Sequence, residues 1–172
     1  GRVVIEGVDM ADVAPHQRAR NVGRSFQVAR LVPQMTVLEN VAVRVDQLHF
    51  VSEPARLAAA RAQLSAFGLA DLAGRRVAEL ASGYHKLVEL ARAAVGGPAL
   101  LLLDEPAVGL APEEIERLCR SLAQLREVGT AILIVEHNVE LVSRIAERIF
   151  VINQGHVISA GTGPEVMADP KV

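Results

Sequence analysis

The strongest structural signal in the sequence is the segment Ala99-Leu100-Leu101-Leu102-Leu103-Asp104-Glu105-Pro106. Its continuous apolar run is typical of a strand in a parallel sheet whose two faces are covered by helices. Asp104 and Glu105 follow the run directly, so two adjacent carboxylates lie where the predicted strand ends. Ligands bind at this edge of a parallel sheet, where Asp104 could hold Mg²⁺ and Glu105 could orient or deprotonate a water. A solvated acidic loop is the other interpretation of this stretch.

The segment downstream of this strand predicts an α/β sheet. Pro112 fits a first helical position, an apolar stripe follows it, and Gly129 ends the helix. Thr130 to Val135 is a second apolar strand, so strand, helix and strand form one right-handed crossover. Two further runs, Ile149–Ile152 and Val157–Ala160, flank a turn sequence and predict an antiparallel hairpin as a tail on the sheet.

The segment upstream is predicted to contain short strands and a helical section. The expected strands are Val3–Glu6 and Arg24–Gln27, and the expected helices are Pro15–Arg20, Ala55–Phe67 and a longer one that begins after Gly83 and stops at Gly96-Gly97-Pro98. Thr36 and Glu39 form a capping box at the start of another helix. The helical section is therefore expected in the middle of the chain.

Three further features are candidates for a binding site. His137 follows the second apolar strand and would lie at the same sheet edge as Asp104, although an isolated His is more often a surface or capping residue. Gln27 ends a predicted strand and could supply a neutral oxygen to a metal or a water. Ser82 and Gly83 precede a helix whose N-terminus favours anions, and an ordinary N-cap by Ser82 explains them equally well.

Composition excludes several classes of function. The formal net charge is −2 in 172 residues, which leaves no excess of basic side chains for a nucleic-acid backbone. The longest apolar stretches fall well short of the roughly 20 residues that span a bilayer. A single cysteine, Cys119, excludes an internal disulfide.

In their order along the chain these motifs resemble the ATP-binding cassette (ABC) family. Gln27 matches its Q-loop, Leu80-Ala81-Ser82-Gly83-Tyr84 its signature, Leu100 to Glu105 its Walker B motif and His137 its switch histidine. The segments Phe26–Asn40 and Glu136–Val142 are similar to the branch that imports branched-chain amino acids. Relatives that import urea or other amides, or that drive lipopolysaccharide export, are similar as well.

The resemblance implies a P-loop NTPase-like (RecA-like) α/β fold with a parallel sheet core, a helical subdomain and an antiparallel C-terminal hairpin. Residues 1–34 and 99–172 would form the core, and residues 35–98 the helical subdomain with the signature helix. It also implies an ATPase that binds ATP and Mg²⁺ as a head-to-tail pair with a second, identical or different, ATPase subunit. The other implied partners are transmembrane permease subunits at the cytoplasmic face of the membrane and, indirectly, a periplasmic or extracellular substrate-binding protein.

The same resemblance implies a role for each motif residue. Asp104 and Gln27 would serve Mg²⁺, and Glu105 would polarise the attacking water. His137 would contact the γ-phosphate, and the signature residues Ala81, Ser82, Gly83 and Tyr84 would reach that phosphate from the opposite subunit.

The sequence departs from the family pattern in three places. No Gly-x-x-x-x-Gly-Lys-Ser/Thr loop occurs in it, and the family places that loop upstream of the Val3 to Glu6 strand. We therefore expect a chain truncated at its N-terminus, inactive towards ATP as it stands. Ala81 and Tyr84 replace the signature's serine and glutamine, so one hydroxyl to the phosphate is missing unless Ser82 substitutes. The family usually has a Leu followed by Asp or another polar residue at the position of Leu110-Ala111, whereas this chain has the apolar Ala111 there.

Two rival functions remain at this point. One is an ABC ATPase without a membrane partner, acting in translation or chromosome maintenance, against which the short interval between Gln27 and Leu80 argues. The other is a catalytically dead interaction module, which the missing loop favours and the presence of Asp104, Glu105 and His137 opposes.

Overall fold

The computed structural model describes residues 1–27, 29–48 and 52–172 in two units, Gly1–Val135 and Glu136–Val172. The strands are β1 Val4–Ile5, β2 Val8–Asp9, β3 Val22–Arg24, β4 Leu100–Asp104, β5 Ala131–Val135, β6 Ile149–Asn153 and β7 His156–Gly161. The helices are α1 Pro15–Asn21, α2 Val37–Leu48, α3 Glu53–Ala66, α4 Ser82–Ala94, α5 Pro112–Glu127, α6 Val139–Ile145 and α7 Gly163–Met167.

A three-stranded parallel sheet in the order β3-β4-β5 forms the centre of the first unit. Its central strand is the one predicted from the continuous apolar run, and Leu101 and Leu103 on that strand are buried. The helix α5 connects β4 to β5, as the crossover pattern predicts. The α/β class and the parallel pairing are confirmed.

The predicted strand Arg24–Gln27 is wrong in its position, because β3 spans Val22–Arg24. The reason is the close approach of α4 at Gly23, where a Cβ would overlap the carbonyl oxygen of Ala93. Only glycine lets the strand pack this tightly against the helix. Gln27 therefore lies in the loop after the strand.

The expectation that helices cover both faces of the sheet holds for one face only. Leu133 is 58% exposed and Val135 is 60% exposed on β5, whereas Leu101 on β4 is fully buried. Successive strand residues point to opposite faces, so these values separate a covered face from an open one. The open face carries apolar side chains, which a strand at the edge of the described sheet leaves accessible.

The helices α2, α3 and α4 pack together in the middle of the chain. Their shared core includes Val37, Val41, Leu64, Phe67, Leu87 and Leu90. The capping box is confirmed, since the Thr36 N–H donates to Glu39 at 2.7 Å and the Glu39 N–H donates to the Thr36 hydroxyl at 3.2 Å. Whether residues 35–98 form a separate subdomain stays a prediction.

The second unit consists of α6, the antiparallel hairpin β6–β7 and α7. The hairpin is confirmed, and Gln154 and Gly155 at its turn have φ values of 48° and 80°. Positive φ at both central residues defines the tight turn whose twist matches that of the strands. A second capping box, between Thr162 and Glu165, opens α7.

The first two strands form a small hairpin of their own, with Glu6 and Gly7 at its turn. No helix within the described ranges is long and apolar enough to cross a membrane.

Candidate functional site

Gln27 and Glu105 meet at the carboxyl end of the parallel sheet. The side-chain Nε2 of Gln27 donates to Oε2 of Glu105 at 2.9 Å, across 78 positions of the chain. The backbone of Glu105 is held by a hydrogen bond from its N–H to the Val135 carbonyl at 2.9 Å. Two motifs that the sequence placed at strand ends are therefore brought into direct contact.

Glu105 adopts a left-handed backbone conformation, with φ at 46°. This conformation costs a non-glycine residue about 1–2 kcal/mol, so the surroundings must hold it. The hydrogen bonds to Val135 and from Gln27 are such constraints. The backbone of Glu105 is thus held by Val135, and its carboxylate accepts a hydrogen bond from Gln27.

Asp104 is the last residue of β4 and is half-buried beside Ser25. The backbone N–H of Asp104 lies 3.4 Å from the hydroxyl of Ser25, which is fully buried. Ser25 in turn extends the parallel pairing, because its N–H donates to the Leu102 carbonyl at 3.0 Å. Ser25 fixes the end of the strand that carries Asp104.

The donor set fits a magnesium ion held by few protein ligands. Asp104 could supply a carboxylate oxygen, and Gln27, whose amide nitrogen donates to Glu105, could supply its amide oxygen. Mg²⁺ usually takes one or two protein oxygens and completes its shell with phosphate oxygens and water. The described part of the chain contains no group of three or more His, Cys, Asp or Glu arranged as a metal cage.

A cavity of about 220 Å³ lies on the open face of the sheet next to these residues. It is lined by Arg24, Ser25, Leu102, Leu103, Asp104, Leu133 and Val135. Asp104 therefore lies at the carboxyl end of its strand and also lines a largely apolar cavity.

The signature residues lie at the N-terminus of α4. The helix begins at Ser82, and Ala81 is its N-cap without a side-chain hydrogen bond, so the alternative that Ser82 is the N-cap is wrong. Gly83 is buried against α5, where a Cβ would overlap the carboxylate of Glu114. Tyr84 is half-buried. The first N–H groups of the helix and its positive dipole end favour an anion here.

His137 belongs to the second unit, and its place is described within that unit. It is exposed and directly precedes Asn138, whose side chain caps α6 by accepting from the Leu141 N–H at 3.0 Å. The backbone N–H of His137 donates to the Glu136 carboxylate at 3.2 Å. Its predicted meeting with Asp104 at one sheet edge stays a prediction.

Sequence reasoning did not single out Lys86 and Glu89, which lie on α4 behind the site. Both are buried, with exposed fractions of 6% and 1%. Burial raises the pKa of Glu89, and hydrogen bonds from the backbone of Arg30 and the charges of Lys86 and Arg92 partly offset this rise. Their spacing of three is also that of an ordinary charge pair on a helix surface, so the sequence held no signal that marks them as buried.

A parallel α/β sheet with carboxylates after its central strand and a glutamine from the neighbouring loop has the arrangement of a ligand-binding α/β domain, in which ligands bind outside the carboxyl ends of the strands. Residues 1–108 match the family model described as "ABC transporter". The chain belongs to this family, whose ATP-binding domain couples ATP hydrolysis to transport.

Comparisons with individual proteins agree with the family. The chain is 37% identical to the high-affinity branched-chain amino acid transport ATP-binding protein LivG of Salmonella typhimurium, over 92% of this chain and 69% of LivG. It is 30% identical to the lipopolysaccharide export system ATP-binding protein LptB of Haemophilus influenzae, over 100% of this chain and 72% of LptB.

A solved structure shares the fold. It is the dimeric post-hydrolysis state of the ATP-binding cassette MJ0796 bound to ADP and Pi, with a TM-score of 0.83 and 25% identity. The similarity covers 94% of this chain and 73% of that one.

Proposed function

We propose that this chain is the ATP-hydrolysing subunit of an importer for branched-chain amino acids. The observation that favours this substrate class is the 37% identity to LivG, against 30% to the exporter subunit LptB. The residues of Phe26–Asn40 and Glu136–Val142 support the same branch. The transported molecule itself would be selected by the permease and the substrate-binding protein.

The catalytic part of the proposal rests on the hydrogen bond between Gln27 and Glu105. Glu105 orients and polarises the water that attacks the γ-phosphate, and Gln27 fixes the carboxylate of Glu105 from the neighbouring loop. Asp104 and the amide oxygen of Gln27 would hold Mg²⁺, which would supply positive charge to neutralise the phosphates. His137 donates to the γ-phosphate. Phosphoryl transfer depends mainly on such positioning and charge stabilisation.

The proposed working unit is a pair of ATPase subunits. The similar cassette MJ0796 is dimeric in its complex with ADP and Pi. In this chain the exposed residues Ala81 and Ser82 and the buried Gly83 present the N-terminus of α4 to the ATP of a second subunit. Backbone N–H groups supply the contact, so the loss of the serine hydroxyl at Ala81 weakens closure without preventing it.

The proposed location is the cytoplasmic face of the membrane, where the pair docks on transmembrane permease subunits. The segment from Gln27 to Asn40 would carry motion from the site to the permease. Asn40 cross-links this segment, since its side chain accepts from the Val32 N–H at 2.8 Å and donates to the Thr36 carbonyl at 3.0 Å.

Export of lipopolysaccharide is the second candidate function. The 30% identity to LptB extends over the whole chain, so the sequence similarity is not confined to one segment. Both candidates share the ATPase chemistry and differ in the permease that the subunit drives.

An uptake experiment distinguishes these functions. The chain is extended upstream through a Gly-x-x-x-x-Gly-Lys-Ser/Thr loop, which we call the extended version, and produced in bacteria whose own LivG is deleted. Restored uptake of labelled leucine that is lost with Glu105→Gln supports the import function. Failure to restore uptake together with rescue of an LptB-depleted strain would favour export. An extended version that hydrolyses ATP in neither setting would favour the interaction module.

A further inference from the structure

The ammonium group of Lys86 is buried and donates hydrogen bonds to three backbone carbonyls. Its side chain is 7% exposed, and its Nζ donates to the carbonyls of Phe26 at 2.6 Å, Gln27 at 3.3 Å and Asp104 at 3.4 Å. A lysine has three N–H donors and each of them finds an acceptor here. The acceptors lie on both motifs of the site, the loop that carries Gln27 and the end of β4.

Glu89, one turn further along α4, holds the other end of the same loop. Its Oε1 accepts from the backbone N–H of Arg30 at 3.2 Å, and its Oε2 lies 4.0 Å from the Nζ of Lys86. Arg92 is 3.8 Å from Oε1. We call the described residues 26–27 and 29–30 the Gln27 loop. The buried ammonium of Lys86 binds two of its carbonyls, those of Phe26 and Gln27, and the buried carboxylate of Glu89 binds its Arg30 N–H.

We propose that Lys86 and Glu89 are positioning residues for hydrolysis, because together they hold the Gln27 loop and thereby set the hydrogen bond between Gln27 and Glu105. This proposal rests on the roles of Gln27 and Glu105 given under the proposed function. Lys86 contacts the carbonyl of Gln27 itself and that of Asp104, the residue before Glu105. A displacement of the ammonium thus acts on both partners of the hydrogen bond at once.

The position of the pair on α4 links it to the signature. Lys86 lies four residues after Ser82, at which the helix begins, so about one helical turn, roughly 6 Å, separates them. A helix transmits displacement along its axis as a stiff element. A phosphate of the second subunit that binds the helix N-terminus would then displace the Gln27 loop through Lys86 and Glu89.

A purely structural role for the buried pair predicts a different outcome. Such a pair would change the stability of the fold and leave the chemistry of folded molecules unaltered. A positioning role changes kcat for hydrolysis while the KM for ATP stays nearly constant, because Gln27 and Glu105 act on the transition state. The two roles are therefore separable by kinetics on folded variants.

The test uses variants of the extended version. Lys86→Met/Glu89→Gln removes the ammonium without leaving a lone buried carboxylate, so this double variant is expected to fold where Lys86→Met alone is at risk. Glu89→Met removes the acceptor for the Arg30 N–H, and Glu89→Gln keeps one. Arg75→Met is the matched control, because the pair of Arg75 and Glu79 has the same kind of charges at 2.9 Å but is exposed.

We expect Lys86→Met/Glu89→Gln to melt cooperatively and to lower kcat roughly ten-fold with KM for ATP changed less than about two-fold. Hydrogen exchange at the Arg30 amide should rise roughly ten-fold in Glu89→Met and little in Glu89→Gln. Arg75→Met should match the unmutated protein in both readouts.

A folded double variant with kcat within about two-fold of the unmutated value would overturn the proposal, since such a change is too small for a displaced catalytic group. Unchanged Arg30 exchange in Glu89→Met would overturn it as well. Amide exchange requires no ATP, so it tests the contact between Glu89 and the Gln27 loop even if the extended version is inactive. An inactive extended version would refute the proposed function.

Discussion

Replacement of Asn40 by alanine is expected to destabilise the first unit by releasing the segment between Gln27 and α2. Asn40 is 1% exposed, and its side chain bonds both the N–H and the carbonyl of Val32, at 2.8 and 3.0 Å, and the carbonyl of Thr36 at 3.0 Å. Residues 29–36 contain no helix or strand, and the Asn40 side chain bonds their backbone at Val32 and at Thr36.

The magnitude follows from which groups lose their partner. The Val32 and Thr36 carbonyls also accept backbone N–H groups, from Met35 and from Asn40 itself, whereas the Val32 N–H donates to the Asn40 side chain. One N–H left without its partner and two weakened carbonyls correspond to about 2–3 kcal/mol, less than three full hydrogen bonds would sum to.

Urea denaturation of Asn40→Ala, followed by circular dichroism, measures this loss as a lower midpoint at unchanged slope. Gln17→Ala, which removes an exposed side-chain amide from α1, is the control and should stay within about 0.5 kcal/mol of the unmutated chain. A change below about 0.5 kcal/mol for Asn40→Ala would refute the argument, because it would mean that water replaces the side chain without cost.

Three other changes test separate parts of the account. Ala81→Ser in the extended version should raise hydrolysis if the signature hydroxyl reaches the phosphate, and an unchanged steady-state rate would remove that idea. Glu39→Gln tests the capping box: the backbone and side chain of Thr36 lower the pKa of Glu39 below its ordinary 4.5, so the stabilisation exists above about pH 4.5 and is lost as pH falls through the lowered pKa. The urea midpoints of this variant and the unmutated chain should therefore converge in acid, and a constant gap would contradict the assignment. Gly23→Ala should cost about 1–3 kcal/mol in the same assay, because a Cβ there overlaps a backbone carbonyl of α4, whereas Gly74→Ala, with open space around it, should be nearly neutral.

The elements that the sequence predicted well are those with a local cause. The strand β4 follows from an uninterrupted apolar run, and the hairpin β6–β7 follows from its turn residues. The capping box at Thr36 and Glu39 is also a local pattern, readable from two residues three positions apart. In each case the residues that specify the element lie within it.

The elements that were misplaced depend on contacts far along the chain. The strand β3 begins at Val22 because Gly23 packs against α4, some seventy positions away, and no local pattern marks this.

The candidate site was predictable in its motif residues and not in its supports. Asp104 and Glu105 stand out as carboxylates after an apolar strand, and Gln27 was placed near them through the family resemblance. Lys86 and Glu89 have the sequence pattern of a solvated helix face, and only the structure shows that both are buried behind the Gln27 loop.

A comparison of ATP hydrolysis by the extended version and by the 172-residue chain, each with and without Glu105→Gln, shows whether this site hydrolyses ATP. We expect MgATP hydrolysis by the extended version only, and a loss of at least about a hundred-fold with Glu105→Gln, because the group that orients the water is removed. Hydrolysis that persists undiminished in Glu105→Gln would contradict the assignment of the site.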